Sequence, residues 1–206
     1  MKEYRFAVAV MAGGHSTRMG QSKHSVIIKG DGRTFLNKIC DEADEAKKHL
    51  DRENISGDMV GKKIFQRYLS VREDQDIKRE GYISVNDIYK DIGPIGGIAS
   101  VLKSAEEDDC DAVLFLACDM IKYDKNEIIN IIESYRGEDI LYAETKERGL
   151  QPLASIYSVS ILENVISAIG QGNYRLRDIR KGLSNVAIYK PEDDTKYNNF
   201  NSPDEL

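Results

Sequence analysis

The densest run of chemically suggestive residues is Ala12-Gly13-Gly14-His15-Ser16-Thr17-Arg18-Met19-Gly20-Gln21-Ser22-Lys23, which follows an apolar segment directly. Adjacent Gly13 and Gly14 let backbone N–H groups approach a ligand with no Cβ in the way. Arg18 offers a planar fork to phosphate oxygens, and Lys23 adds a point charge. Together they suit a triphosphate. Five residues separate Gly14 from Gly20 and no Lys-Ser or Lys-Thr pair follows, so the loop is not a Walker A motif. It is not G-x-G-x-x-G either, and a simple tight turn is the other reading the bare loop permits. Further along, Asp119 follows the apolar run Val113–Ala117, where it is either a cap after a strand or a carboxylate held at the strand's mouth. Asp87 precedes the glycine-rich Gly93-Pro94-Ile95-Gly96-Gly97-Ile98, and Arg175 and Arg177 follow Gly172. His15, His24 and His49 have no metal-like spacing with other ligands.

The elements that must position these groups are legible from apolar pattern. Tyr4 to Met11 is an almost continuous apolar run, expected of a strand buried on both faces. Phe35, Leu36, Ile39, Ala43, Ala46 and Leu50 fall at helical spacing, with Thr34 placed to cap that helix. Further strands are expected at Phe65–Val71, Tyr82–Val85, Ala112–Ala117, Ile140–Glu144, Pro152–Tyr157 and Val186–Tyr189. Helices are expected at Ile95–Ser104, Asn126–Tyr135 and Ser160–Ile169. The polar stretch Asp51–Lys63 reads as a solvated surface excursion, and 1–206 as a single domain. Strands alternating with helices imply an α/β fold with a mostly parallel sheet covered on both faces. In such sheets ligands bind beyond the carboxyl ends of the strands, and the unusual residues all follow strand ends.

Composition narrows the function. Apolar content of 41% and charged content of 31% are ordinary for a globular chain. The net charge of −6 and pI near 5.2 argue against a general nucleic-acid binder. Cys40, Cys110 and Cys118 are odd in number and lack C-x-x-C spacing, which fits a reducing compartment. No apolar run approaches the roughly 18 residues that span a bilayer, and no signal-peptide pattern opens the chain. A cytoplasmic protein with neither nucleic acid nor membrane as partner is expected.

The pattern A-G-G-x-S-x-R-M-G-x-x-K resembles the signature of the molybdenum cofactor guanylyltransferases, a family of nucleotidyltransferases with a Rossmann-like three-layer αβα fold. Later blocks keep the family's order: Gly93-Pro94-Ile95-Gly96-Gly97-Ile98, Ala117-Cys118-Asp119-Met120, Gln151-Pro152-Leu153, and Asn199-Phe200-Asn201-Ser202-Pro203-Asp204-Glu205-Leu206. The resemblance implies transfer of GMP from GTP to the terminal phosphate of a molybdopterin substrate, with cofactor-synthesis or acceptor enzymes as further partners. It implies Mg²⁺ on Asp119, and one carboxylate is enough because Mg²⁺ takes its other ligands from substrate phosphates and water. It makes Arg18, Lys23 and Asp119 catalytic and assigns the nucleotide to Met11, Ala12, Gly13, Gly14, Lys23, Asp87, Gly93, Gly96 and Asp119. Gln151, Arg175 and Arg177 fall where relatives meet the pterin, and Asn199 and Asn201 match a pair lining the cleft.

Ile121 stands where the family usually has proline, a conformational difference that leaves the metal assignment in place. Ser70 and Arg72 lie near another family contact but are not chosen, and Ser202-Pro203 reads as the start of a short terminal helix. Ala-Gly-Gly in the first loop resembles the GTP-using members, since cytidylyl-transferring relatives tend to carry Ala-Ala-Gly. Transfer from CTP or to another acceptor, and a non-catalytic GTP-binding partner of cofactor synthesis, are the alternatives.

Overall fold

The structure is a computed structural model that describes residues 3–13, 22–56 and 61–200, with backbone alone for 54–56. At its centre is a seven-stranded sheet. Its strands are β1 (Tyr4–Met11), β2 (Lys62–Val71), β3 (Ile83–Asn86), β4 (Ala112–Ala117), β5 (Ile140–Thr145), β6 (Gly149–Ser158) and β7 (Val186–Tyr189), in the spatial order β3-β2-β1-β4-β6-β5-β7. The helices are α1 (Phe35–Ser56), α2 (Pro94–Glu107), α3 (Lys125–Ser134) and α4 (Leu162–Gly170).

Two-faced burial accounts for the apolar runs. Phe6, Val8 and Val10 of β1 face one core cluster with Leu36, Ile39, Ala43 and Leu50 of α1. Ala7 and Ala9 face the opposite cluster with Ile98, Val101 and Leu102 of α2. Helices α1 and α3 share one face, and α2 and α4 share the other. This is the expected three-layer αβα arrangement with a mostly parallel sheet. Strand β1 pairs in parallel with β2 and β4. Strand β6 is antiparallel to both its neighbours.

Caps fix where the helices begin. Thr34 Oγ1 accepts from Asn37 N at 3.1 Å at the start of α1, as expected. Gly93, at φ 78°, precedes α2 with Pro94 at its first turn, and Asp124 accepts from Glu127 N at 3.0 Å ahead of α3. The expected excursion Asp51–Lys63 is corrected at both ends. Helix α1 continues to Ser56, helped on its surface by a Lys47–Asp51 ion pair at 2.8 Å, and Lys62 and Lys63 open β2. Lys62 looked like a solvated charge, yet its ammonium donates to the carbonyls of Ile132, Glu133 and Tyr135 and so closes the end of α3.

Pro152 lies inside β6, where a missing N–H would normally break the ladder. The β5–β6 pairing is irregular between Leu141 and Ala143, opposite this segment, and the break leaves room for proline. Among the described residues, no helix is long and apolar enough to cross a membrane.

Candidate active site

The carboxyl ends of β1, β2, β3 and β4 open into a cavity of about 570 Å³. Most of its wall continues a strand or begins a helix. Met11, Ala12 and Gly13 come from β1, Ser70 and Arg72 from β2, Asp87 from the end of β3, and Cys118 and Asp119 from β4. Gly93 and Pro94 at the start of α2, together with Lys23, Leu153 and Asn199, complete it.

Asp119 is 6% exposed. Its Oδ2 accepts from Lys23 Nζ at 2.5 Å, and its backbone carbonyl accepts from Phe200 N at 3.0 Å. Loop, central strand and C-terminal segment therefore meet at one residue. A carboxylate this far from water costs several kcal/mol unless compensated, and the ammonium compensates it. Among the described residues no group of three or more His, Cys, Asp or Glu side chains gathers to hold a metal by itself. A lone buried carboxylate in a roomy cavity fits a cation that brings phosphate and water ligands with it, which is the habit of Mg²⁺. Neighbouring Cys118 is an inert thiol, pushed up to about 12 by burial.

At the other end of the cavity, Asp87 is half-buried and its Oδ1 accepts from Ser70 Oγ at 3.3 Å. Burial pushes its carboxyl above the usual carboxylate range, against the opposing pull of Ser70 and Arg72. Arg72 is held by Asp74 in a two-point pair, Nε to Oδ1 at 2.9 Å and one terminal nitrogen to Oδ2 at 2.8 Å. Lys90 pairs with Glu73 and ties the loop after β3 to the loop after β2. A Cβ added at Gly13 would lie 3.3 Å from Arg72 Cγ, so Gly13 is pressed against the end of β2.

The structure thus gathers Met11, Ala12, Gly13, Lys23, Asp87, Gly93, Asp119 and Asn199 around one space. Gly14, Arg18 and Asn201 lie outside the described residues, as does the expected helix start at Ser202-Pro203. Gly96 packs away from the cavity, where a Cβ would meet the Tyr89 carbonyl at 2.5 Å. Its neighbour Gly97 is the close-approach position: a Cβ there would meet Ser70 Oγ at 2.5 Å, Met11 Cε at 2.7 Å and Asp87 Oδ1 at 3.0 Å.

Gln151, Arg175 and Arg177 are not on the cavity wall. Gln151 Nε2 donates to Thr145 Oγ1 at 3.2 Å and to the Gly149 carbonyl at 3.1 Å, within the β5–β6 hairpin. Arg177 reaches the same hairpin at the Leu150 carbonyl, 3.3 Å away, and Arg175 sits at the start of the short turn Leu176–Asp178. Ser70 and Arg72, passed over in the sequence, do line the cavity, as do Glu73, Asp74, Lys90, Asp91 and Leu153. Ser70 and Arg72 had a signal in their place near another family contact, and Arg72, Glu73 and Asp74 follow the carboxyl end of an expected strand.

The sequence profile of the MobA-like NTP transferase domain matches residues 8–186. The chain belongs to that family. Its reaction class is nucleotidyl transfer from a nucleoside triphosphate. A probable molybdenum cofactor guanylyltransferase of Aquifex aeolicus is 25% identical over 189 residues, 89% of this chain and 79% of that protein. One of Clostridium perfringens strain 13 is 31% identical over 157 residues, 75% of this chain and 66% of that one. Among solved structures, the molybdopterin-guanine dinucleotide biosynthesis protein A of Archaeoglobus fulgidus superposes with a TM-score of 0.72 at 21% identity, covering 97% of this chain and 94% of that one. The 4-diphosphocytidyl-2C-methyl-D-erythritol synthase of Anaerococcus prevotii gives 0.70 at 11% identity, covering 98% and 92%. These two superpositions establish a shared fold.

Proposed function

We propose that this protein transfers GMP from GTP to the terminal phosphate of molybdenum-loaded molybdopterin, acting as one cytoplasmic nucleotidyltransferase domain. The observation that carries this reading is the meeting of Lys23, Asp119, Asp87 and Asn199 around one cavity at the strand ends. It is supported by the guanylyltransferase names of the curated relatives and by Ala12-Gly13-Gly14 in the first loop.

In the proposed reaction, an oxygen of the acceptor phosphate bonds to the α-phosphorus of GTP, the bond from that phosphorus to the bridging oxygen breaks, and pyrophosphate leaves. The acceptor's second pKa lies near 6, so it is already largely dianionic at neutral pH and no general base is required. What the chain must supply is position and opposite charge. Backbone at Gly13 and Gly14 admits the triphosphate, and Lys23 and Arg18 neutralise the departing pyrophosphate. Asp87, with Ser70 beside it, accepts from the guanine or ribose. Gln151, Arg175 and Arg177 are the proposed pterin side. Asp119 would hold magnesium, whose contribution when bound is to polarise the phosphate under attack. Pyrophosphate release from GTP that depends on both magnesium and the pterin acceptor tests the reading. Release without the acceptor, or none with it, counts against it.

A further inference from the structure

The last described stretch of chain is fastened beneath the site by a buried carboxylate. Glu127, in the first turn of α3, is 2% exposed, and its Oε1 accepts from the Tyr197 hydroxyl at 2.7 Å. Tyr197 is wholly buried, and its ring meets that of Tyr123 edge-on with centroids 5.1 Å apart. Lys196 donates to Asp124, the cap of α3, at 3.1 Å and lies 3.9 Å from Glu127 Oε2. A carboxylate withdrawn from water must be paired and hydrogen-bonded. Phenol and ammonium both answer that demand, and the Tyr189 hydroxyl at the end of β7 also interacts with Glu127.

That segment leads straight to the site. Asn198 N donates back to the Thr195 carbonyl at 3.3 Å, Asn199 lines the cavity, and Phe200 N donates to the Asp119 carbonyl at 3.0 Å. A single residue separates Tyr197 from Asn199, so a shift at the phenol is passed on with little slack. As the third residue after the Asp124 cap, Glu127 also suits the first turn of α3, where an acid is favoured, yet that preference does not call for burial. A leucine there would fill the space without the desolvation cost.

We propose that Glu127 and Tyr197 are positioning residues for the transfer reaction: their buried pair sets where Asn199 stands beside Asp119. The inference rests on the transfer activity proposed above. A role confined to stability would lower the melting temperature and leave the kinetics of the folded enzyme alone.

The test uses Tyr197→Phe, Asn199→Ala and the double variant in the full chain with GTP, magnesium and molybdenum-loaded molybdopterin. Tyr197→Phe should lower kcat by about thirtyfold, as displacement of a group at the reacting centre does, with the KM for GTP held within about threefold. The double variant should be no slower than the slower single one, because both changes act through Asn199. Glu127→Gln keeps an acceptor for the phenol and should recover to within about threefold of the wild type. Independently of activity, amide hydrogen exchange at Phe200 should rise by about tenfold in Tyr197→Phe while Val8 in β1 is unchanged. Fully additive slowing in the double variant, or unchanged exchange at Phe200, overturns the proposal. A wild-type protein that transfers from no nucleotide overturns the reaction instead, and exchange at Phe200 then still decides whether the pair holds the segment.

Discussion

Lys23 Nζ donates to Asp119 Oδ2 at 2.5 Å, joining the end of the first loop to the end of the central strand across 96 residues of sequence. In the proposed reaction the two groups act on different phosphates, so the pair would have to part when a triphosphate binds. A triphosphate offers the ammonium more negative charge than one carboxylate does. Its arrival would draw Lys23 off Asp119 and leave the carboxylate open to a cation.

Asp119→Ala should abolish measurable turnover while the protein stays folded. Lys23 keeps partial access to solvent, with a side chain 26% exposed, and loses a partner without being stranded. The stability cost is expected to be about 1 kcal/mol, a fall of about 3 °C in Tm. Steady-state kinetics and a thermal melt check both halves, and near-normal turnover would remove Asp119 from the mechanism.

Lys23→Ala should cost about 2–4 kcal/mol of transition-state stabilisation, comparable with the loss of one oxyanion donor. The measurement is kcat/KM for GTP, and a drop smaller than tenfold would contradict the assigned role.

The pH dependence of GTP binding should carry the signature of Asp87. Burial raises its carboxyl above the usual carboxylate range, so the folded protein protonates it more readily than the unfolded chain does. The stability consequence has a definite sign. The ionised group is the unfavourable form in the fold, and its cost builds up as pH rises from the ordinary carboxylate value to the raised one and is constant above it. Recognition runs the other way: a protonated Asp87 loses an acceptor for N–H donors, so KM for GTP should climb as pH falls through that value. Asp87→Asn should show a KM about tenfold higher and flat over the same range. Matching profiles for variant and wild type would exclude Asp87 from base or ribose recognition.

Gly97→Ala places a methyl group 2.5 Å from Ser70 Oγ and 3.0 Å from Asp87 Oδ1. Either α2 moves outward or the Ser70–Asp87 pair gives way. A stability loss of about 1–3 kcal/mol is expected, together with weaker GTP binding. Calorimetric titration of GTP separates the two effects, and unaltered affinity would show that helix displacement alone absorbs the methyl.

The sequence disclosed most about what is buried on two faces. Tyr4–Met11 and Ala112–Ala117 have the same limits in the fold as in the apolar pattern, because a central parallel strand has no polar face to blur its ends. Direction is not written in such runs, and the antiparallel setting of β6, which delivers Leu153 to the cavity, emerges only from the sheet. Glycine runs were legible as a class and not individually. Gly96 and Gly97 are adjacent in sequence, yet only Gly97 abuts the cavity-lining residues Met11, Ser70 and Asp87. The charged rim of Arg72, Glu73, Asp74, Lys90 and Asp91 reads in sequence like any solvated loop. Glu127 and Tyr197, 70 residues apart, have no local pattern that would pair them.

The most direct test of the central claim is transfer of label from α-phosphate-labelled GTP, set against CTP, ATP and UTP, onto molybdenum-loaded molybdopterin with magnesium present. The account predicts label in the pterin dinucleotide from GTP in preference to the other three. Preferential transfer from CTP would overturn the guanine assignment and keep the chemistry. Failure to transfer from any of the four, with GTP still bound, would contradict the proposed reaction.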